Sequence, residues 1–312
     1  MAVLARWASV FLLTACAPLV AHAQQTDFKV YGDARVVTYR FGWMGFDGKP
    51  INAFFRLPRN NVDVSAQDFK EFDNQAANDY VKAVIKAYND THTNPNVQMS
   101  EENGGVKFTS ATLDKAAFDK QISDIKALRQ KAMDTFIDAN LYTKISDHSI
   151  MPDHKRIASM YVPRMRPVAE ALAHARPSRS ERDNINTVLS FLQNIPYDKL
   201  EDRTTSNGAG FVTPINLLTT NKGDCDSKAV AMASILRNLY PKMRIVMIYI
   251  PGHAFVGLNM PLQSGDTALQ IGKYKFVLAE PVGPAMTPVG KVAPESYQKL
   301  SQYQFSYQEV PF

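Results

Sequence analysis

A single cysteine sits in a glycine-acid turn, Gly223-Asp224-Cys225-Asp226-Ser227-Lys228, directly before the run Ala229-Val230-Ala231-Met232-Ala233. That run reads as a buried helix, which places the Cys225 thiol in its first turn. Unpaired amides and the helix dipole stabilise negative charge at such a place, and a nucleophilic cysteine acts as the thiolate. Asp224 or its neighbour can cap the helix. The same amides could face a developing oxyanion.

A thiolate of this kind usually needs a histidine to hold its proton and a third group to orient the imidazole. The chain has six histidines. His22 belongs to an export segment, His92, His148 and His154 read as loop-borne, and His174 lies near the end of a polar-faced helix. Only His253 opens an apolar strand, His253-Ala254-Phe255-Val256-Gly257-Leu258. Glu280 ends the next strand, Tyr274-Lys275-Phe276-Val277-Leu278-Ala279-Glu280, just before Pro281. Taken singly these are an inert buried cysteine, a structural histidine and a solvent-facing acid. Their order, one opening a helix and two on successive strands, points to shared chemistry.

The elements that must position them follow from periodicity. Val36, Val37, Tyr39, Phe41 and Trp43, a turn at Asp47-Gly48, then Ile51, Phe54, Phe55 and Leu57 predict an N-terminal β-hairpin or small meander. Ser65-Ala66-Gln67-Asp68 resembles a capping box, and the apolar spacing after it predicts a helix to about residue 89. Residues 90–105 read as an exposed loop and 112–141 as a long amphipathic helix. Asp147-His148 and Asp153-His154 tempt a metal assignment, but that stretch reads as a polar loop without the rigid frame that metal ligands need. Helices are expected at 157–176 and 182–194, and Thr213-Pro214-Ile215-Asn216-Leu217-Leu218 reads as a short helix with proline in its first turn. After the cysteine helix, Ile245-Val246-Met247-Ile248-Tyr249-Ile250 and the strands of His253 and Glu280 predict an antiparallel sheet with the helix packed on it. The aromatic C-terminal tail is expected to cover a sheet edge. The fold class expected is α+β.

The chain has 312 residues, 45% hydrophobic and 21% charged, with a formal net charge of +5. This suits one or two globular cores and not a membrane bundle. No run beyond the N-terminus is long enough to span a bilayer. The mild positive excess is spread along the chain, so no nucleic-acid partner is implied. Arg6, an apolar run to Ala15 and Ala21-His22-Ala23 read as a signal peptide cleaved after Ala23. The alternative is a lipoprotein box, Leu13-Thr14-Ala15-Cys16, with anchoring at Cys16. Either way the protein is expected to be exported, periplasmic or secreted, and Cys225 is left as its one unlipidated thiol. The organisation expected is a signal peptide at 1–23, a strand-plus-helix region of unknown role at 24–150 and a catalytic domain at 151–312.

The Gly-Asp-Cys-Asp-Ser-Lys-Ala stretch, His253-Ala254-Phe255-Val256 and Val277-Leu278-Ala279-Glu280-Pro281 together resemble the bacterial transglutaminase-like cysteine peptidases of the papain-like superfamily. Phe191-Leu192-Gln193-Asn194-Ile195-Pro196-Tyr197 is similar to the helix and tyrosine upstream of the nucleophile in that group. The resemblance covers residues 157–285. It implies a transglutaminase-like core, with Cys225 as nucleophile, His253 as general base and acid, and Glu280 as orienting carboxylate. The group more often has Asp where Glu280 stands and often Trp where Phe255 stands, so Asp266 is the reserve for the third position. The Cys225 amide is one expected oxyanion donor and Tyr197 the second, with Asn216 and Asn221 left open. Some members hold calcium with acids beside the cysteine, which here would be Asp224 and Asp226. No other cofactor is implied.

The activity that follows is cleavage of a peptide or isopeptide bond in an envelope protein or peptide through a thioester. Resolution of the same thioester by a lysine amine would give transglutaminase-type cross-linking. A non-catalytic binding or scaffold module on the same fold is the third reading, and it expects His253 out of hydrogen-bond reach of Cys225.

Overall fold

The computed structural model describes residues 23–91, 97–102, 105–110, 115–147, 149–202, 206 and 209–312. The stretch read as a signal peptide, with Cys16 and His22, and also His92 and His148, lie outside the described residues. The architecture is α+β with antiparallel sheets.

The chain opens with β1 (Gln25–Gly32), β2 (Val36–Met44) and β3 (Pro50–Pro58), an antiparallel meander in the order β1-β2-β3. Alternate residues of β3 are buried, as a strand covered on one face requires. That face packs inward. Phe41 meets Phe191 edge to face at 5.0 Å, and Trp43 Nε1 donates to Ser190 Oγ at 3.1 Å.

A short helix α1 (Arg59–Ser65) follows, then α2 (Asn74–Thr91), the hairpin β4 (Val97–Glu102) and β5 (Gly105–Ser110), and α3 (Lys115–Ala139). The α2–α3 pair has its own small apolar cluster of Val81, Ile85, Ile125 and Ala132. Two expectations are corrected here. The capping box does not start a helix, because Ser65 and Asp68 are engaged by distant side chains: Tyr161 Oη donates to Asp68 and hydrogen-bonds the Ser65 hydroxyl, and Arg164 pairs with Asp68. Asp73 instead accepts from the Gln75 and Ala76 amides at the start of α2. The region expected to be a loop to residue 105 contains β4 and the start of β5.

A second hairpin, β6 (Tyr142–Ser146) and β7 (Ser149–Pro152), leads into α4 (His154–Ala175), capped by Asp153, whose carboxylate accepts from the Arg156 amide at 3.2 Å. His154 is therefore helical and buried, not loop-borne. Next come α5 (Glu181–Asn194), α6 (Pro214–Thr220) and α7 (Cys225–Leu239), the cysteine helix.

Every residue of α7 from Ser227 to Arg237 is buried. A helix apolar around its whole circumference must be enclosed. Here α4, α5 and α6 pack on it from one side and strands β8 and β9 from the other.

The C-terminal part forms one antiparallel sheet in the order β10-β11-β9-β8-β12. Its strands are β8 (Ile245–Ile250), β9 (His253–Leu258), β10 (Ala268–Ile271), β11 (Tyr274–Ala279) and β12 (Ser306–Glu309), with α8 (Pro294–Ser301) before the last. The apolar runs of β8 and of β11 from Phe276 onward follow from burial on both faces. Ile245, Met247, Val277 and Ala279 join the core beneath α7, while Val246, Ile248, Phe276 and Leu278 join a second cluster with Leu300 of α8. The C-terminal tail does cover an edge, since β12 pairs with β8. One contiguous core runs from Val37 to Val310, so the N-terminal meander and the cysteine helix share it. Among the described residues, no helix is long and apolar enough to cross a membrane.

Candidate active site

Cys225 is the first residue of α7, and Asp224 is its N-cap, with Oδ1 accepting from the Ser227 amide at 2.9 Å. Gly223, just before, forms a parallel bridge with Tyr197. A Cβ on Gly223 would lie 2.7 Å from Leu217 Cδ1, so any larger residue there requires the Leu217 side chain of α6 to shift. The bridge brings Tyr197 beside the cysteine turn, where its ring is 48% exposed.

His253 opens β9 opposite Ile250, across the two-residue turn Pro251-Gly252. Gly252 takes φ 74°, a conformation that glycine adopts without steric cost. The turn projects His253 into a cleft of about 430 Å³. Tyr197 and Glu201 line it from the loop after α5, Cys225 and Asp226 from α7, and Tyr249 and His253 from the β8–β9 hairpin.

Glu280 directly follows β11 and is buried. Its Oε1 lies 2.5 Å from His253 Nε2 and accepts from Ser296 Oγ at 2.9 Å, and its Oε2 accepts from the Ala293 amide at 2.7 Å. Burial pushes its carboxyl up, but the His253 bond, the Ala293 amide and Ser296 outweigh it and hold the carboxyl below its usual range. Asp266, the reserve for this position, is engaged elsewhere: it pairs with Arg182 at 2.7 Å and accepts from the Gln263 amide. Of the two acids, Glu280 is the one bonded to His253.

With Nε2 on Glu280, Nδ1 is the ring nitrogen of His253 left to face a substrate or a thiol. No hydrogen bond joins His253 to Cys225 in this structure. The thiol instead donates to Asp226 Oδ1 at 3.4 Å. Burial pushes the thiol up, Asp226 and Asp224 push it further, and the Ala254 amide of β9 alone opposes them through its hydrogen bond to the sulfur.

Tyr197 keeps its proton: burial, then the nearby Cys225, Asp224 and Asp226, raise its hydroxyl above the ordinary phenol range. It can therefore serve as a donor on the cleft wall. The other two open candidates differ. Asn221 exchanges a pair of side-chain hydrogen bonds with Gln25, at 2.9 and 2.7 Å, and Asn216 does not line the cleft.

Two buried residues beside the site were given no part in it by the sequence reading. Lys228 is fully buried, and its Nζ donates to the Ile195 carbonyl at 2.5 Å, tying α7 to the end of α5 just before Tyr197. Burial lowers its amine to about 7, against the pull of Asp224 and Cys225. His154 is buried with Nε2 3.5 Å from Asp226 Oδ2. The signal for Lys228 was its place three residues after Cys225 beside an apolar run; His154 offered only an Asp before it that could cap.

Asp224 and Asp226 are poor calcium ligands here. Calcium takes about six to eight oxygens. Asp224 is buried with Oδ1 on the Ser227 amide, Asp226 Oδ1 receives the Cys225 thiol, and the third donor grouped with them within 4.8 Å is sulfur. The donor set does not fit calcium, and no step is drawn through it.

Comparison with known proteins gives no relative: no family model, no curated protein and no solved structure matches the chain.

Proposed function

We propose that the protein is an exported cysteine hydrolase with a transglutaminase-like, papain-like core, acting on a peptide or isopeptide bond of an envelope protein or peptide. The observation that carries this reading is the 2.5 Å bond between His253 Nε2 and Glu280 Oε1 on the cleft that Cys225 also lines. A buried carboxylate bonded to one imidazole nitrogen fixes the ring and leaves the other nitrogen for proton transfer.

In the proposed reaction the Cys225 proton passes to His253 Nδ1 and the sulfur attacks the substrate carbonyl. The tetrahedral oxyanion is met by the Cys225 amide and the Tyr197 hydroxyl. Collapse breaks the C–N bond, and the imidazolium gives its proton to the departing amine. Water, deprotonated by His253, then attacks the thioester and frees the acid and the thiol. A lysine amine in place of that water gives the cross-linked amide.

One observation favours the non-catalytic reading: the thiol rests on Asp226 and not on His253. Catalytic hydrogen bonds are often long in the absence of substrate. The experiment that tests the proposal compares envelope-protein N-termini between a wild-type strain and one carrying Cys225→Ala. Loss of specific cleavage products supports hydrolysis. Identical N-termini, with no incorporation of a dansylated amine by the purified protein, overturn both enzyme readings.

A further inference from the structure

The chain reaches His253 through a turn of the less favourable hand. Two-residue hairpin loops favour types I′ and II′, whose twist matches the flanking strands and which need a positive φ at the first loop residue. Pro251 occupies that place, and its ring fixes φ at about −65°, so both types are closed to it. Proline followed by Gly252 at φ 74° makes a type II turn, which splays the strands it joins. Types I and II differ in the orientation of the peptide between the two loop residues, and the carbonyl of that peptide is Pro251's. A Cβ on Gly252 would meet nothing within 4 Å, so the tip stands clear of its neighbours there.

Lys299 of α8 reaches that carbonyl, its Nζ donating to Pro251 O at 2.6 Å. Lys299 and Ser296 are three apart on the helix and so share one of its faces. Ser296 Oγ donates to Glu280 Oε1 at 2.9 Å, and the Ala293 amide at the head of the helix donates to Oε2 at 2.7 Å. Leu300 seats α8 in the second apolar cluster, with Ile248 and Ile250 of β8 and Phe255 of β9. One helix of eight residues thus grips both the carboxylate bonded to His253 and the turn that His253 follows.

We infer that Lys299 is a positioning residue: by holding the Pro251 carbonyl it fixes the turn in its type II form, and so sets where His253 meets Glu280 on the Cys225 cleft. What the position requires is a hydrogen-bond donor on a long side chain. The catalytic meaning rests on the proposed reaction, but the His253–Glu280 pair can be read without it.

The test uses the full chain and two readouts: solvent exchange of the His253 Nε2 proton, followed by nitrogen-15 NMR, and the rate of Cys225 alkylation by iodoacetamide near neutral pH. Lys299→Met keeps a long side chain and removes the donor, with folding checked by its melting curve. Exchange should quicken and alkylation slow, each about fivefold, the change expected for one net hydrogen bond. Lys299→Arg keeps a donor and should restore both. Pro251→Asn opens type I′ to the turn, and in that background Lys299→Met should change neither readout further. A merely structural lysine would matter equally in both backgrounds. Wild-type exchange in Lys299→Met, a Lys299→Arg variant as impaired as Lys299→Met, or an undiminished effect in the Pro251→Asn background would overturn the inference. Should Lys299→Met not fold, Lys299→Gln, with a shorter reach, takes its place in the same cycle with the same expectations. If His253→Ala left alkylation unchanged, the proposed reaction would fail while the exchange readout still decided the role of Lys299.

Discussion

His253 and Glu280 come from two neighbouring antiparallel strands, β9 and β11, and meet at 2.5 Å between Nε2 and Oε1. The carboxylate is held from its far side by the first turn of α8, through the Ala293 amide and Ser296. A side chain bonded three ways has little freedom to swing, so the imidazole inherits a fixed orientation.

Replacing that carboxylate should separate charge from shape. Glu280→Gln retains an oxygen for the Ala293 amide but cannot stabilise an imidazolium. Alkylation of Cys225 should fall by about tenfold or more with a near-wild-type circular dichroism spectrum. An unchanged rate would remove Glu280 from the proposed machinery.

The same residue sets a pH dependence. The Glu280 carboxyl lies below its usual value in the folded state, so its contribution to stability is present above the unfolded value of about 4.3 and is lost as pH falls through the folded one. Thermal melts should show wild type most above Glu280→Gln near pH 6, with the gap closing below about pH 4. A gap that widens on acidification would contradict the sign of the shift.

Much of this was legible in the sequence, and the exceptions share a cause. The cysteine helix was readable because Ala229 to Ala233 are apolar on every side, and His253 because it begins a β-branched and aromatic run. Glu280 stood at a strand end before a proline. Local pattern could not show that Ser65 and Asp68 serve Tyr161 and Arg164, nearly a hundred residues away, so a capping box was read where there is none. His154 looked loop-borne for the same reason, since what makes it part of the site is Asp226 and Tyr249 far along the chain. The shared core was hidden too: nothing near Trp43 announces Ser190.

Lys228 gives an alkaline signature. Its folded-state value of about 7 is below the unfolded value of about 10.4, so the unfolded chain binds more protons between them and stability rises with pH through that window. Melts of wild type against Lys228→Met should show wild type gaining relative stability from about pH 7 to about pH 10. Parallel curves would mean that the amine is not buried as described.

Gly223→Ala should strike the Tyr197 bridge. The added methyl would meet Leu217 Cδ1 at 2.7 Å, an overpacking that typically costs about 1–3 kcal/mol. Chemical denaturation should show that loss, and an unchanged midpoint would mean that Leu217 moves aside without cost.

The meander and the cysteine helix share one core, so residues 151–312 expressed alone should lack a cooperative melt. Their Phe191 would lose Phe41 and Trp43, which lie at 5.0 and 5.2 Å. A sharp transition in that fragment would show that the two halves fold independently.

The central claim is that His253 governs the chemistry of Cys225. Its most direct measurement is the second-order rate of Cys225 alkylation by iodoacetamide near neutral pH, in wild type and His253→Ala, both confirmed as folded. The account predicts a wild-type rate above that of a model thiol and a fall of roughly tenfold or more in the variant. Equal rates in the two proteins would contradict it.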